Sequence, residues 1–189
     1  MSTYYKAVRP DLSSFHDPSY VYRIGGTHRP RQPRSERMEL CAELLLHASP
    51  TPPQATRSNA HWPWRILEVT GRPVVEDDTK AGFRQLRVLR EVPVEASFGP
   101  NGAAVLAVIR RAEHMTEDET KQLTAAWYAA WAAAGAAARD AAWYAAGDAA
   151  RAAARIAAKA AAVADLVGQH GLTQKHIDTL IAPWKKVMG

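Results

Sequence analysis

The segment Leu46-His-Ala-Ser-Pro-Thr-Pro-Pro-Gln-Ala55 holds the residue types best suited to chemistry in this chain. An apolar run ends in His47 and Ser49, and the prolines behind them force a turn. An imidazole and a hydroxyl therefore lie together at the end of a predicted strand. For His47 we favour the simpler interpretation, a histidine that is buried in the core or caps the turn.

Metal-binding and cofactor motifs are not evident. Cys41, His47 and His61 carry atoms that can ligate a metal, but their spacing matches no zinc motif and no fourth ligand is apparent. The sequence also contains no glycine-rich phosphate loop, nucleophile elbow or paired-carboxylate motif. We therefore expect no metal site and no bound cofactor, and the pattern favours a protein that is not an enzyme.

The segment around His47 also resembles the second-strand region of ADP-ribosyltransferase-type folds, in which a polar residue at a strand end precedes a short helix. The resemblance covers fragments of the chain. It implies that Arg9 comes from the first strand and that Glu91, on a late strand, is the catalytic carboxylate. His47, Ser49 and Glu91 would then surround a nicotinamide dinucleotide. This is the enzymatic alternative.

Positive charge is concentrated in the N-terminal part of the chain. Residues 1–112 contain 16 Lys and Arg against 11 Asp and Glu, whereas the remainder contains 8 against 8, so the net charge of +5 belongs to the first part. Its densest stretch is a proline-containing loop with the basic residues Arg29, Arg31, Arg34 and Arg37. We interpret it as a solvated charged loop. Contact with phosphate, including nucleic acid, or with an acidic protein is the alternative.

An alanine tract dominates the C-terminal part. From Ala125 to Ala164, 25 of 40 residues are Ala and none is Pro, so we expect one continuous helix about 60 Å long in this stretch. The preceding Thr116-Glu-Asp-Glu119 matches a capping box, which predicts that the helix begins at Thr116. Glycines behind the tract predict its end near Val167.

Larger side chains recur along this helix so that one apolar face has bulky residues at both ends and methyl groups between them. The predicted interaction face consists of Trp127, Trp131, Ala138, Ala145, Ile156 and Val163. Three arrangements are open: the helix folds back on the N-terminal sheet, associates with a second copy, or stands free as a spacer or partner-docking rod. The free-standing helix is the least favoured, because it would leave aromatic side chains exposed to water. The first two arrangements are favoured equally.

The segment from Leu166 to Ile181 resembles a helix-turn-helix, with a Gly-Leu-Thr turn and with Ile177 and Leu180 facing inward from a second helix. Thr173 is a candidate cap for that helix. DNA-binding proteins need charge directed at phosphate, and this part of the chain is electrically neutral. We therefore favour a plain helical hairpin and keep a DNA-binding regulator as the alternative.

Alternating apolar residues predict short strands at 4–9, 20–24, 44–48, 64–70, 74–75 and 85–92. A short helix is expected to open at 54–56, and 103–110 is ambiguous between helix and strand. The predicted fold class is α+β. A small, mostly antiparallel sheet domain occupies residues 1–112, a long alanine-rich helix residues 113–168, and a short C-terminal helix residues 169–189.

The expected compartment is the cytoplasm. No run of about 18 bulky apolar residues occurs, so we expect no membrane span. The N-terminus lacks the apolar core of a secretory signal, and the lone Cys41 fits a reducing environment.

Most of the chain resembles uncharacterised proteins of actinobacterial bacteriophages and their hosts. The resemblance lies in Tyr5-Lys-Ala-Val-Arg-Pro-Asp11, the Leu-His-Ala-Ser phrase, the Ala-Ala-Trp-Tyr-Ala-Ala repeats and the closing His-Gly-Leu-Thr-Gln…Ala-Pro-Trp184. It implies a phage or bacterial cytoplasmic setting and no particular activity. Our leading hypothesis is a phage-type accessory protein that acts by protein–protein interaction or self-assembly through the alanine-rich helix.

Overall fold

The computed structural model forms two compact units, Met1–Ser97 and Phe98–Gly189, which are described separately below. The structure describes residues 2–31, 45–57, 60–112, 114–133, 164, 167 and 172–188.

Five strands and one short helix form the first unit. The strands are β1 (Thr3–Val8), β2 (Thr27–His28), β3 (Leu46–Ala48), β4 (Arg65–Glu76) and β5 (Ala81–Val92), with α1 (Pro52–Ala55) after β3 and a 3₁₀ helix at Val94–Phe98 after β5. A tight turn joins β4 to β5: an Asp77 carboxylate oxygen accepts hydrogen bonds from the backbone N–H groups of Thr79 and Lys80. Asp in this role is typical of turns, because its side chain bonds to the backbone two residues on.

The strands form an antiparallel sheet in the order β1-β4-β5-β2, and β3 pairs with the beginning of β5. Directly after β3, Ser49 pairs with β1: the Tyr5 N–H donates to the Ser49 carbonyl at 2.7 Å, and the Ser49 N–H donates to the Tyr5 carbonyl at 2.8 Å. The hydrogen-bonded circuit β1-β4-β5-β3 therefore closes on itself. Three irregularities in the β4–β5 register supply the bend that closure requires.

One apolar core fills the inner side of this circuit. Side chains alternate along each strand, so Tyr4 and Val8 of β1 and Leu67 and Val69 of β4 all face inward. The core cluster consists of Tyr4, Val8, Tyr22, Leu46, Ala48, Leu67, Val69, Ala81, Phe83, Leu86 and Val88. Burial of these side chains is the main stabilising term for a unit of this size.

Three helices are described in the second unit: α2 (Gly102–Ala112), α3 (Glu117–Ala133) and α4 (Gln174–Met188). The predicted capping box is confirmed at the start of α3. The Glu119 N–H donates to the Thr116 hydroxyl oxygen at 3.2 Å, and the Thr116 N–H donates back to the Glu119 carboxylate at 2.8 Å. Helix α4 packs against α3, and Ile177 and Leu180 are 2% and 1% exposed, which confirms their predicted inward orientation.

The mostly antiparallel α+β fold with a C-terminal helix is therefore confirmed, with two local differences from the sequence-based expectations and with the ambiguous segment 103–110 now assigned to a helix. Residues 74–75 are part of β4, residues 20–24 form only a single bridge between Val21 and Ser13, and residues 103–110 belong to α2.

The division between the two units follows Ser97, so α2 belongs to the second unit, whereas the sequence placed the boundary at 112. Most of the predicted alanine-rich helix lies outside the described residues, which include its first part as α3.

Strand β4 continues through Gly71 and Pro73, which lie between the separately predicted strands 64–70 and 74–75. Both lie at register irregularities, where a strand tolerates a missing N–H. Gly71 is required there by a close approach of the backbones, because a Cβ at this position would lie 2.7 Å from the Gln85 carbonyl oxygen. Pairing with β5 therefore joins the two predicted strands into one continuous strand.

Candidate functional site

The two candidate residues at the end of β3 lie close together. His47 is opposite Gly82 of β5, and Ser49 is buried where it pairs with Tyr5. Burial is the largest cause that lowers the pKa of His47 to about 4, and the neighbouring basic groups Lys80, Lys6 and His16 contribute to the same shift. His47 is therefore neutral at physiological pH. A base with a pKa near 4 is poorly matched to proton transfer near pH 7.

The predicted carboxylate partner, Glu91, lies at the far end of β5. It is nine residues beyond Gly82, which pairs with His47, and that is about 30 Å of extended strand. Its carboxylate accepts a hydrogen bond from the Arg65 Nε at 2.8 Å, and this interaction lowers the pKa of Glu91. His47 and Ser49 are close because they are two residues apart in the chain, and the structure does not bring Glu91 to them.

Arg9, the remaining member of the enzymatic hypothesis, follows β1 directly. Its N–H donates to the Ser13 carbonyl at 2.9 Å, and its guanidinium lies 5.7 Å from the centroid of the Phe15 ring. At that distance a cation–π contact stabilises the side chain by about 0.5–1 kcal/mol. Arg9 thus has a structural contact of its own in the turn that follows β1.

Lys6 is the residue of this region that sequence reasoning missed. It lies on the inner side of β1 between Tyr4 and Val8, and its ammonium donates to the His47 carbonyl at 2.9 Å. The same ammonium lies 5.2 Å from the centroid of the Tyr22 ring. Burial, with the Lys80 charge as a second cause, lowers the pKa of Lys6 to about 8. A lysine at an inward position of an alternating strand was the signal that could have identified it.

The predicted basic loop is described only in part. Arg31 donates to the Ser19 hydroxyl at 2.6 Å, lies 3.8 Å from the Asp17 carboxylate, and has its guanidinium 5.5 Å from the Tyr20 ring centroid. Arg29 donates from its Nε to the Gln85 side-chain oxygen at 2.8 Å. Arg31 is thus held by its own loop, while Arg29 is held against β5. Arg34 and Arg37 lie outside the described residues.

Arg29 belongs to a larger basic surface, which the sequence did not reveal. On β5, Arg87 pairs with Thr27 of β2 on one side and with Thr70 of β4 on the other. Directly paired residues in a sheet project from the same face, so Arg87 shares the outer face with both threonines. Arg90 also lies on it, because a register shift intervenes and Arg90 pairs with Glu68, two residues before Thr70. Arg29 reaches the same face through Gln85, two residues before Arg87. We call this surface the arginine face; its members are Thr27, Arg29, Thr70, Gln85, Arg87 and Arg90.

The predicted interaction face of the alanine-rich helix is mostly outside the described residues. Trp127 and Trp131 lie within α3. Ala138, Ala145, Ile156 and Val163 lie outside the part of the chain that the structure describes, so the face as a whole stays a prediction.

No protein-family model, curated protein or solved structure matches this chain. Among the described residues, no three His, Cys, Asp or Glu side chains converge as a metal-binding group. Within the same residues, no helix has the length and apolar character needed to cross a membrane.

Proposed function

We propose that this chain is a bacteriophage-type accessory protein of the bacterial cytoplasm that acts by protein–protein interaction or self-assembly through the alanine-rich helix. The alanine-rich helix serves as its assembly element, and the basic sheet unit serves as its binding module. The observation that carries the proposal is α3: a helix with a complete capping box is still helical at Ala133, where it has already entered the alanine tract.

Helix propensity supports continuation of α3 through the tract, because Ala is the strongest helix former and no proline interrupts the sequence to Ala164. A stripe of alanine methyl groups lets a second helix approach closely. Each buried Ala releases little free energy, so pairing has to extend over many turns. A long, unbroken helix meets this requirement, and a second copy of the same chain supplies a matching partner.

The enzymatic alternative is not supported by the geometry of the sheet unit, because it needs His47 and Glu91 around one ligand. His47 lies opposite the beginning of β5, whereas Glu91 lies near the end of β5. The Glu91 carboxylate forms an ion pair with Arg65. The DNA-binding helix-turn-helix is disfavoured by charge, because residues 113–189 have no net charge.

Light scattering of the full chain on a sizing column tests the assembly proposal. We expect an oligomer that dissociates when Ala138→Glu and Ala145→Glu place two carboxylates on the predicted face. Ala136→Glu and Ala154→Glu serve as the matched control, since they fall on the opposite side of the same predicted helix. A monomeric wild-type chain at every concentration, or equal dissociation of both double variants, contradicts the proposal.

A further inference from the structure

The arginine face combines three exposed cations on one side of the sheet. Arg87 is centred between two threonine side chains, Arg90 lies three residues further along β5, and Arg29 is fixed against Gln85 on the neighbouring strand. Three residues of strand correspond to about 10 Å, and neighbouring strands lie about 5 Å apart. The three guanidinium groups therefore spread over a surface instead of converging on one point.

Among the described residues, one of these three cations is paired with a carboxylate on the same face. The Arg90 guanidinium donates a hydrogen bond to the Glu68 carboxylate in an ion pair, and the Arg90 side chain is nevertheless 63% exposed. Arg29 and Arg87 carry the remaining positive charge of the face. Glu91 is paired with Leu67, whose side chain faces inward, so its carboxylate projects from the other side of the strand and meets Arg65. The sheet therefore separates the Glu91 charge from the arginine face.

We propose that the arginine face binds the phosphate backbone of nucleic acid without sequence preference. Arginine, threonine and glutamine are donors that contact phosphate oxygens, and spaced guanidinium groups match a repeating polyanion. Its named members include no aromatic ring on which a base could stack, and the exposed apolar side chain beside them on β5 is Leu89, at 39% exposure. An interface with a folded acidic protein would instead need an apolar centre that excludes water, and a single exposed leucine is too small to form one.

This inference goes beyond the proposed assembly function and is tested separately from it. Fluorescence anisotropy measures the binding of the full chain to labelled oligonucleotides of about 20 nucleotides at several salt concentrations. Two unrelated sequences are used, each as a single strand and as a duplex. Two phosphate contacts, or three if Arg90 exchanges Glu68 for a phosphate, predict a slope of about −2 to −3 in a plot of log affinity against log salt. The two sequences are expected to bind equally.

Arg87→Gln and Arg29→Gln are each expected to weaken binding roughly threefold or more and to reduce the magnitude of the salt slope by about one. Arg57→Gln removes the same charge from an exposed position at the end of α1 and is the matched control. Circular dichroism of each variant verifies that the fold is retained.

Absence of binding, or equal losses in the Arg87 and Arg57 variants, overturns the inference. Binding to polyglutamate as tight as that to the oligonucleotides also overturns it, in favour of an acidic protein partner. Loss of nucleic-acid binding in a chain that still assembles refutes this inference alone. A monomeric chain that binds nucleic acid refutes only the assembly proposal.

Discussion

Replacement of Lys6 by Met should remove a pH-dependent penalty on the stability of the sheet unit. The ammonium of Lys6 is partly buried, and its pKa falls from 10.5 in the unfolded chain to about 8 in the folded one. Between these values the unfolded state binds more protons than the folded state, so stability increases as the pH rises through this window. The penalty is complete below pH 8.

The shift from 10.5 to about 8 corresponds to about 3 kcal/mol at pH 7. From pH 7 to pH 9.5, roughly 2 kcal/mol of this penalty is relieved. We therefore expect the free energy of unfolding of the wild-type chain to rise by about this amount relative to Lys6→Met. The Met side chain loses the hydrogen bond to the His47 carbonyl, which costs about 1 kcal/mol at every pH and leaves the pH dependence unaffected.

Urea unfolding at pH 7 and 9.5, followed by the backbone amide signals of β1 and β4 in NMR spectra, measures this difference within the sheet unit. Burial raises the pKa of Tyr22 in the folded state, so ionisation of this residue in the unfolded chain would destabilise the fold at high pH. The upper limit of pH 9.5 keeps this effect small, because it lies below the ordinary tyrosine pKa of about 10, and the effect is common to both chains. Lys121→Met, at an exposed position on α3, should retain the wild-type pH dependence. If Lys6→Met showed the wild-type pH dependence as well, the burial argument would be refuted.

Three further predictions concern other parts of the chain. His47 has a folded-state pKa of about 4, lowered from 6.5 by burial, so acidification from pH 7 to 5 should cost the wild-type chain about 2 kcal/mol more than His47→Gln in urea titrations. Equal losses would contradict the burial of a neutral imidazole. Thr116→Ala should lower the stability of the helical unit by about 1 kcal/mol through loss of the cap to Glu119, measured by circular dichroism at 222 nm. Thr116→Ser is its control. Leu180→Ala, at a position 1% exposed, should cost about 2–5 kcal/mol in the same assay, and a cost below 1 kcal/mol would rule out tight packing of α4 on α3.

Elements fixed by neighbouring residues were predictable from the sequence. The capping box at Thr116 and Glu119 depends on contacts three residues apart, and the strand at 4–9 follows from its own alternation. Helix α1 begins after Thr51, whose hydroxyl oxygen accepts from the Gln54 N–H, close to the expected opening at 54–56. Each of these patterns involves residues only a few positions apart, so it can be recognised without knowledge of the fold.

Strand limits and site composition could not be predicted in the same way. Gly and Pro are poor strand formers, so Gly71 and Pro73 indicate a break between two strands. Both residues nevertheless pair with β5, and β4 is continuous across them. His47, Ser49 and Glu91 all carry suitable chemistry, but the pairing of β3 with the beginning of β5 separates the carboxylate from the other two. The sequence contains the residue types, and the register decides which of them meet.

Composition and local spacing alone determined the basic character of the N-terminal part, the capped start of α3 and the alternation of the strands. Tertiary structure alone decided that Lys6 reaches the carbonyl of His47, 41 residues away, and that Arg29 and Arg87 share one face of the sheet. The physical reason is the range of the interactions. Capping and helix propensity act between neighbours in the chain, whereas strand pairing and burial act between segments that only the closed sheet brings together.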